Sequence, residues 1–234
     1  MDRRAFLLAA PATLLAGCVS VPGAAGPPAP APVFRVGDRW VYRCSDGFRL
    51  PVTWIETHEV VAAGPQGIDV RVELRGDTMN YDRMERLVSP GVVSVGAVYD
   101  PVETRRFEDP LIRYQFPLTP GSSWNQNLRN LDPANQLVST VGRFVRVGGW
   151  QQVTVPAGTF DAIVMRILMS VDDNHPFRFP TNANYVVWWS PQAGAAVRET
   201  KFATYRERGD GREAIEIRAQ NTTIELESFA RAPA

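Results

Sequence analysis

The chain has 234 residues, of which 44% are hydrophobic and 21% are charged, a composition typical of a globular protein rather than of a disordered or fibrous one. Lys and Arg number 25, and Asp and Glu also number 25, so the formal net charge is zero. This balance argues against a polyanion-binding surface, and we predict no nucleic-acid partner. Two cysteines and two histidines are too few for a Cys-rich structural zinc site, and we expect no cofactor.

The N-terminus has the pattern of a secretory signal peptide. Arg3 and Arg4 form a short basic region, and the apolar stretch from Ala5 to Ala16 follows it. That stretch is shorter than the ~20 residues of a membrane-spanning helix, whereas it suits the apolar centre of a signal peptide. We therefore assign residues 1–17 to a signal peptide.

The apolar stretch ends in Leu15–Cys18 (LAGC), which resembles the lipobox of bacterial lipoproteins. In that family the chain is cut before the cysteine, and the thiol of that cysteine receives a diacylglyceryl group. The resemblance implies that Cys18 carries acyl chains such as palmitate and anchors the protein in a membrane. Because Val19 and not aspartate follows, the resemblance also implies the outer membrane, facing the periplasm. The alternative is an ordinary signal peptide followed by an unmodified cysteine.

Residues 19–33 are small residues, Pro and Gly, without a charge. Because such a segment lacks the apolar groups of a core and its Pro-rich part is extended, we predict a tether, residues 18–33. Packing of the segment on the domain is the alternative. A single β-rich domain, residues 34–231, follows. With Cys18 acylated, as the resemblance implies, Cys44 has no partner within the chain, and we expect a buried free thiol in a strand. An intermolecular disulfide is the alternative.

Alternation of apolar and polar residues dominates this domain. From Gly67 to Arg75, Ile, Val and Leu alternate with charged residues, which predicts a strand with one buried and one exposed face. Near the C-terminus, Ile217 and Ile224 have opposite parity, which predicts a β-bulge near residues 220–223. Further predicted strands are Arg39–Cys44, Leu50–Ala62, Met79–Ser89, Val92–Tyr99, Val138–Val147, Gln151–Val155 and Gly158–Val171.

The predicted fold class is mainly β. About ten to thirteen consecutive strands joined by short turns must curl to hide their apolar face. We expect one antiparallel, strongly curved meander sheet, as a partial barrel or a sandwich, and favour the bent or partly closed form. Asp132 and Pro133 indicate the start of a short helix ending at Leu137. At most one or two short helices are expected.

Four segments carry turn residues beside aromatic ones, which is typical of hairpins whose register is set at the turn. In chain order they resemble segments of bacterial envelope lipoproteins of unknown function with β-rich domains. The resemblance implies a fold and a location in the cell envelope, and it carries no activity. The segments are Gly37–Tyr42 (GDRWVY), Phe116–Trp124 (FPLTPGSSW), Val153–Ala162 (VTVPAGTFDA) and Tyr185–Arg198 (YVVWWSPQAGAAVR).

Two arrangements could carry chemistry. Asp172–His175 (DDNH) places two carboxylates, an amide and an imidazole after a strand, which would suit a divalent cation or an acid/base pair. Its turn-forming composition favours a solvated hairpin loop without such a role. His58 with Cys44 would be a nucleophile pair, but no third orienting group is evident. We predict no catalytic residue and no metal ligand.

Three aromatic residues are candidates for ligand contact. Trp188 and Trp189 are neighbours on a predicted strand, so their side chains point to opposite faces. One belongs in the core, and the other can line a concave apolar surface. Phe177 lies in the loop before that strand and is the third candidate.

Two functions remain open. The first is a non-catalytic envelope lipoprotein that binds or assembles a lipid, a glycan or another envelope protein at the membrane. It has a likeness to periplasmic lipoprotein carriers with half-barrel folds, although those carriers are plugged by helices that this sequence lacks. The second is a periplasmic hydrolase with a site near Asp172–His175. A large dry cavity favours the first, and convergent carboxylates with an open metal position favour the second.

The lipid anchor is tested by Cys18→Ala. We expect this change to abolish metabolic labelling with palmitate and to leave an unprocessed or soluble protein, because only a thiol accepts the lipid. Cys44→Ala is the control and should be labelled like the unchanged protein. Undiminished labelling of Cys18→Ala would exclude the assignment.

Overall fold

The computed structural model describes residues 25–47, 52–132, 136–207 and 215–233. Cys18 and the signal peptide lie outside these residues, as do positions 133–135 of the predicted short helix. The described ranges contain no helix, and therefore none that is long and apolar enough to cross a membrane. They form twelve strands: β1 (Arg39–Asp46), β2 (Val52–Gly64), β3 (Gly67–Arg75), β4 (Asn80–Ser89), β5 (Val92–Gly96), β6 (Arg105–Ile112), β7 (Ser123–Leu131), β8 (Val138–Val155), β9 (Gly158–Asp172), β10 (Thr181–Ser190), β11 (Ala195–Arg206) and β12 (Glu216–Ala230).

The sheet is a closed barrel. Each strand pairs antiparallel with the next one in the chain, and β12 pairs with β1. The prediction of a mainly β, antiparallel meander is confirmed, but the expectation of a partial barrel or a sandwich is wrong. Closure gives the backbone groups of β1 and β12 partners that an open sheet would leave unpaired at its two edges.

Local alternation sets which side chains face the barrel interior. The predicted strand Gly67–Arg75 is β3 with the same bounds, and its Val72 and Leu74 are fully buried. The register between β11 and β12 shifts where Ala203 pairs with Gln220 and Thr204 with Arg218. The predicted bulge therefore exists and lies beside the expected position, where it turns the later apolar residues of β12 inward.

The segment before β1 packs on the barrel from its first described residues onward. Ala29 is fully buried and exchanges two backbone hydrogen bonds with Leu118, at 2.9 and 2.8 Å. The indole N–H of Trp150 donates to the Pro27 carbonyl at 2.9 Å. The expectation that this part is a free tether is wrong, because its carbonyl and amide groups find partners in the loop between β6 and β7 and in β8.

The two ends of the barrel differ. The upper end is where β1 begins and β12 ends, and it carries the turn between β10 and β11 together with the segment packed at Ala29. The lower end carries residues 97–104, between β5 and β6, and residues 173–180, between β9 and β10. The free thiol of Cys44 is fully buried in β1, as predicted.

Burial inside the barrel is tested by Val145→Asp. Val145 is fully buried in β8, and its cross-strand neighbours are Trp124 and Ile167, so a carboxylate there would lack a partner. We expect the free energy of unfolding to fall by at least about 3 kcal/mol in urea denaturation. Val138→Asp, at a 40% exposed position of the same strand, is the control and should cost no more than ~0.5 kcal/mol. Equal losses in the two variants would show that the interior is assigned to the wrong face.

Candidate functional site

A cavity of about 190 Å³ lies inside the barrel. Side chains from every strand except β7 line it, together with Pro32 and Phe34 of the segment before β1. This volume holds on the order of ten water molecules or the body of a small organic ligand. The barrel therefore encloses a site that the sequence analysis did not locate.

The upper part of the cavity wall is aromatic. The rings of Phe116 and Trp189 meet edge to face with their centroids 5.0 Å apart, and those of Phe34 and Trp40 do so at 5.9 Å. The indole N–H of Trp40 donates to the Ala193 carbonyl at 2.8 Å, which fixes its ring at the upper end. Such pairs offer a rigid apolar surface to a bound molecule.

Next to the aromatic part, the cavity wall contains buried charged groups on β2 and β4. Glu56 Oε1 lies 2.7 Å from His58 Nε2 and 3.2 Å from Arg83 Nη2. Arg83 Nε lies 3.1 Å from Glu85 Oε1, and Arg113 Nη1 lies 2.8 Å from Glu85 Oε2. Glu56, Arg83, Glu85 and Arg113 thus form one chain of alternating charge, which offsets the cost of removing each ion from water.

The pKa values of both carboxyls follow from this arrangement. Burial by itself raises the pKa of Glu85, but the positive charges of Arg113 and Arg83 outweigh it and lower that pKa to about 2. Burial also acts to raise the pKa of Glu56, and the hydrogen bond from His58 together with the charge of Arg83 holds it well below its usual range. Both carboxylates are therefore ionised at neutral pH.

Strands β11 and β8 add a second ion pair and an arginine to the cavity wall. Lys201 Nζ lies 3.0 Å from Glu199 Oε2 and 5.3 Å from the centroid of the Tyr185 ring. Arg143, on β8, is 8% exposed and donates to the carbonyls of Ile112 at 2.7 Å and Arg113 at 3.1 Å. Burial lowers the pKa of Arg143 to about 10, so its guanidinium is still charged at neutral pH.

The structure places Asp172–His175 at the lower end, at the end of β9 and in the loop that follows. Asp173 accepts from Arg105 and from Arg178, each at 2.8 Å, and Arg105 is also paired with Glu103 at 2.7 Å. The expectation of a solvated loop is therefore wrong for Asp173, which closes a part-buried ion-pair network. Within the ranges that the structure describes, no group of three or more His, Cys, Asp or Glu could hold a metal ion.

The three aromatic candidates lie in different environments. Trp189 is 1% exposed and lines the cavity, whereas Trp188 lies outside the cavity and donates to Gln151 Oε1 at 3.1 Å. Phe177 is 72% exposed in the loop before β10, beside the ring of His175. Only Trp189 is placed to contact a molecule inside the barrel.

Cys44 and His58 are not brought together. Cys44 pairs across the sheet with Trp54, whereas His58 pairs with Trp40, four residues away along β1. Burial raises the pKa of the Cys44 thiol far above its ordinary value, so the thiol stays protonated. This removes the basis of a nucleophile pair.

The sequence analysis missed the cavity charges. A usable signal existed, because Arg83 and Glu85 share the parity of the apolar Leu87 on β4, and Arg143 stands between Val141 and Val145 on β8. Charged residues at inward positions of a strand indicate a polar site in the interior.

Comparisons with known proteins bear on the fold. No protein-family model and no curated protein matches the chain. Similar solved structures include a "putative exported protein with YmcC-like fold" from Bacteroides fragilis NCTC 9343, with a TM-score of 0.51 and 14% identity over 87% of this chain and 100% of that one. Another is a "putative lipoprotein" from Parabacteroides distasonis ATCC 8503, with a TM-score of 0.50 and 12% identity over 86% of this chain and 97% of that one. At these identities the similarity shows that the chain shares their β fold, and it shows the fold alone.

The buried charges are tested by the pH dependence of stability. The pKa of Glu85 is about 2 in the folded protein, below its ordinary value of 4.5, so its ionisation stabilises the fold above about pH 4.5, and that stability is lost as the pH falls towards 2. We expect Glu85→Gln to lower the free energy of unfolding by about 3 kcal/mol at pH 7, and the difference from the unchanged protein to shrink between pH 4.5 and pH 3. Glu108→Gln, at an exposed position, is the control. A difference that stays constant in acid would contradict the assignment.

Proposed function

We propose that this protein is a lipid-anchored protein of the bacterial envelope that binds a small amphiphilic ligand inside its barrel and catalyses no reaction. The observation that carries the proposal is the enclosed cavity, which has aromatic side chains at its upper end and buried charges along β2, β4, β8 and β11. A cavity lined largely by apolar groups, with a few fixed polar ones, is the usual form of a small-molecule site.

The lining favours an amphiphile over the other ligands considered from the sequence. A neutral glycan could stack its ring faces on the aromatic pairs Phe34–Trp40 and Phe116–Trp189, but it carries neither a long apolar body nor a charge for the polar part of the wall. A protein partner would need an outer surface, whereas these groups face inward. An amphiphile matches both parts of the wall, because its apolar body meets the rings and its polar group meets the charges.

The lipobox and the packed segment support a place at the membrane. Cys18 stands eight residues before Gly26, and eight residues span at most roughly 28 Å when extended. The segment that follows packs at the upper end of the barrel, through Ala29 and Phe34. An acylated Cys18 would therefore hold the aromatic end of the cavity close to the lipid. The periplasmic face of the outer membrane is part of the proposal and rests on Val19.

The test is recovery of the ligand with the full lipidated chain purified from its own host. We expect native mass spectrometry to show one bound molecule, distinct from detergent and from the anchor, in each barrel. Ala196→Phe should remove it, because Ala196 is buried in the cavity wall and a phenyl ring would fill the space. Ala63→Phe, at an exposed position of β2, is the control and should keep it. An empty unchanged protein, or equal occupancy in Ala196→Phe, would count against the proposal.

A further inference from the structure

The charges that line the cavity do not all have partners. Arg83, Arg113 and Lys201 each lie within 3.2 Å of a carboxylate oxygen. Among the residues that the structure describes, no carboxylate is paired with Arg143, which also lines the cavity. Its two hydrogen bonds go to carbonyl oxygens, which satisfy N–H donors but do not balance a positive charge.

A second unpartnered group lies beside this arginine. Tyr114 lines the cavity and packs its ring against Phe116 at 5.9 Å between centroids. Its hydroxyl makes no hydrogen bond to any other residue in the described part of the chain. Arg143 donates to the carbonyl of Arg113, the residue before Tyr114, at 3.1 Å, and burial keeps the Tyr114 phenol protonated by raising its pKa. The hydroxyl is therefore a free donor next to an unbalanced cation.

We propose that Arg143 and Tyr114 form an anion subsite, which holds the negatively charged group of the amphiphile, with its apolar body against Phe116 and Trp189. This inference rests on the proposed function and names the chemistry of its ligand. One guanidinium without a carboxylate partner, plus one phenol, matches a single negative charge such as a carboxylate. A phosphate dianion would leave a second charge unbalanced in a buried site.

The proximity of Arg113 points the same way. Arg143 donates to the Arg113 carbonyl at 3.1 Å, and the positive charge of Arg113 acts with burial to lower the pKa of Arg143. Glu85 balances Arg113, at 2.8 Å, and Arg143 has no such group. A bound monoanion would give Arg143 the direct acidic partner that it lacks, and a neutral or cationic amphiphile would not.

The experiment compares four probes on the full lipidated chain in lipid nanodiscs, by isothermal titration calorimetry with empty nanodiscs as the blank. Octanoate, octan-1-ol and octylammonium share a chain and differ in charge, and inorganic phosphate supplies an anion without a chain. We expect octanoate to bind at least tenfold more tightly than octanol. Octylammonium should bind more weakly than octanol. Arg143→Gln should weaken octanoate at least tenfold and leave octanol within twofold.

Two further variants test the role of the hydroxyl and provide a control. Tyr114→Phe keeps the ring and removes the hydroxyl, and it should weaken octanoate about threefold to tenfold. Arg146→Gln changes an exposed arginine on the outer face of the same strand and should leave every probe unchanged. Circular dichroism verifies folding, and if Arg143→Gln does not fold, Tyr114→Phe decides the matter.

The outcomes separate this inference from the proposed function. If neither Arg143→Gln nor Tyr114→Phe changes the affinity for octanoate, while octanol still binds, the anion subsite is overturned and the proposed function stands. Phosphate that binds as tightly as octanoate through Arg143 would also overturn it, because the site would then serve a free anion. Absence of binding by all three octyl probes counts against both.

Discussion

The pairing of β1 with β12 is the contact on which the rest of the structure depends. It joins Arg39–Asp46 to residues 222–230 near the C-terminus and leaves no open edge in the sheet. The same closure turns the inner face of the sheet into an enclosed space. Without it, the charges of Glu56 and Glu85 would be solvated and the aromatic rings would face water, so no cavity of defined chemistry would exist.

Closure also explains why the interior carries so many charges in pairs. An ion inside the barrel loses its hydration, and the loss is offset only by a close opposite charge with good hydrogen-bond geometry. Glu85 is held between two arginines, and Lys201 lies against Glu199. Against that pattern the guanidinium of Arg143, which bonds only carbonyl oxygens, is an exception, and this is the reason for proposing a ligand there.

The two ends of the barrel have different roles. At the upper end, the segment before β1 packs through Ala29 and brings Phe34 into the cavity wall, so the proposed lipid anchor would lie at the same end as the aromatic part of the site. At the lower end, Asp173 and Arg105 join the loops through ion pairs. The residues that looked most like a catalytic cluster in the sequence thus hold the barrel end together.

The sequence by itself determined the elements of this protein: β3 has its predicted bounds, Cys44 is a buried thiol in a strand, and a bulge turns β12 as its parity required. These features follow from a side-chain period of two, which any single segment displays. Only the tertiary structure decided that the sheet closes and that Arg143 stands without a carboxylate. Both depend on which distant segments meet: β1 and β12 lie at opposite ends of the domain, and Arg143 meets the carbonyls of Ile112 and Arg113, 31 and 30 residues away. Local periodicity carries no information about such pairings, because the register between strands is set by the packing of the whole barrel.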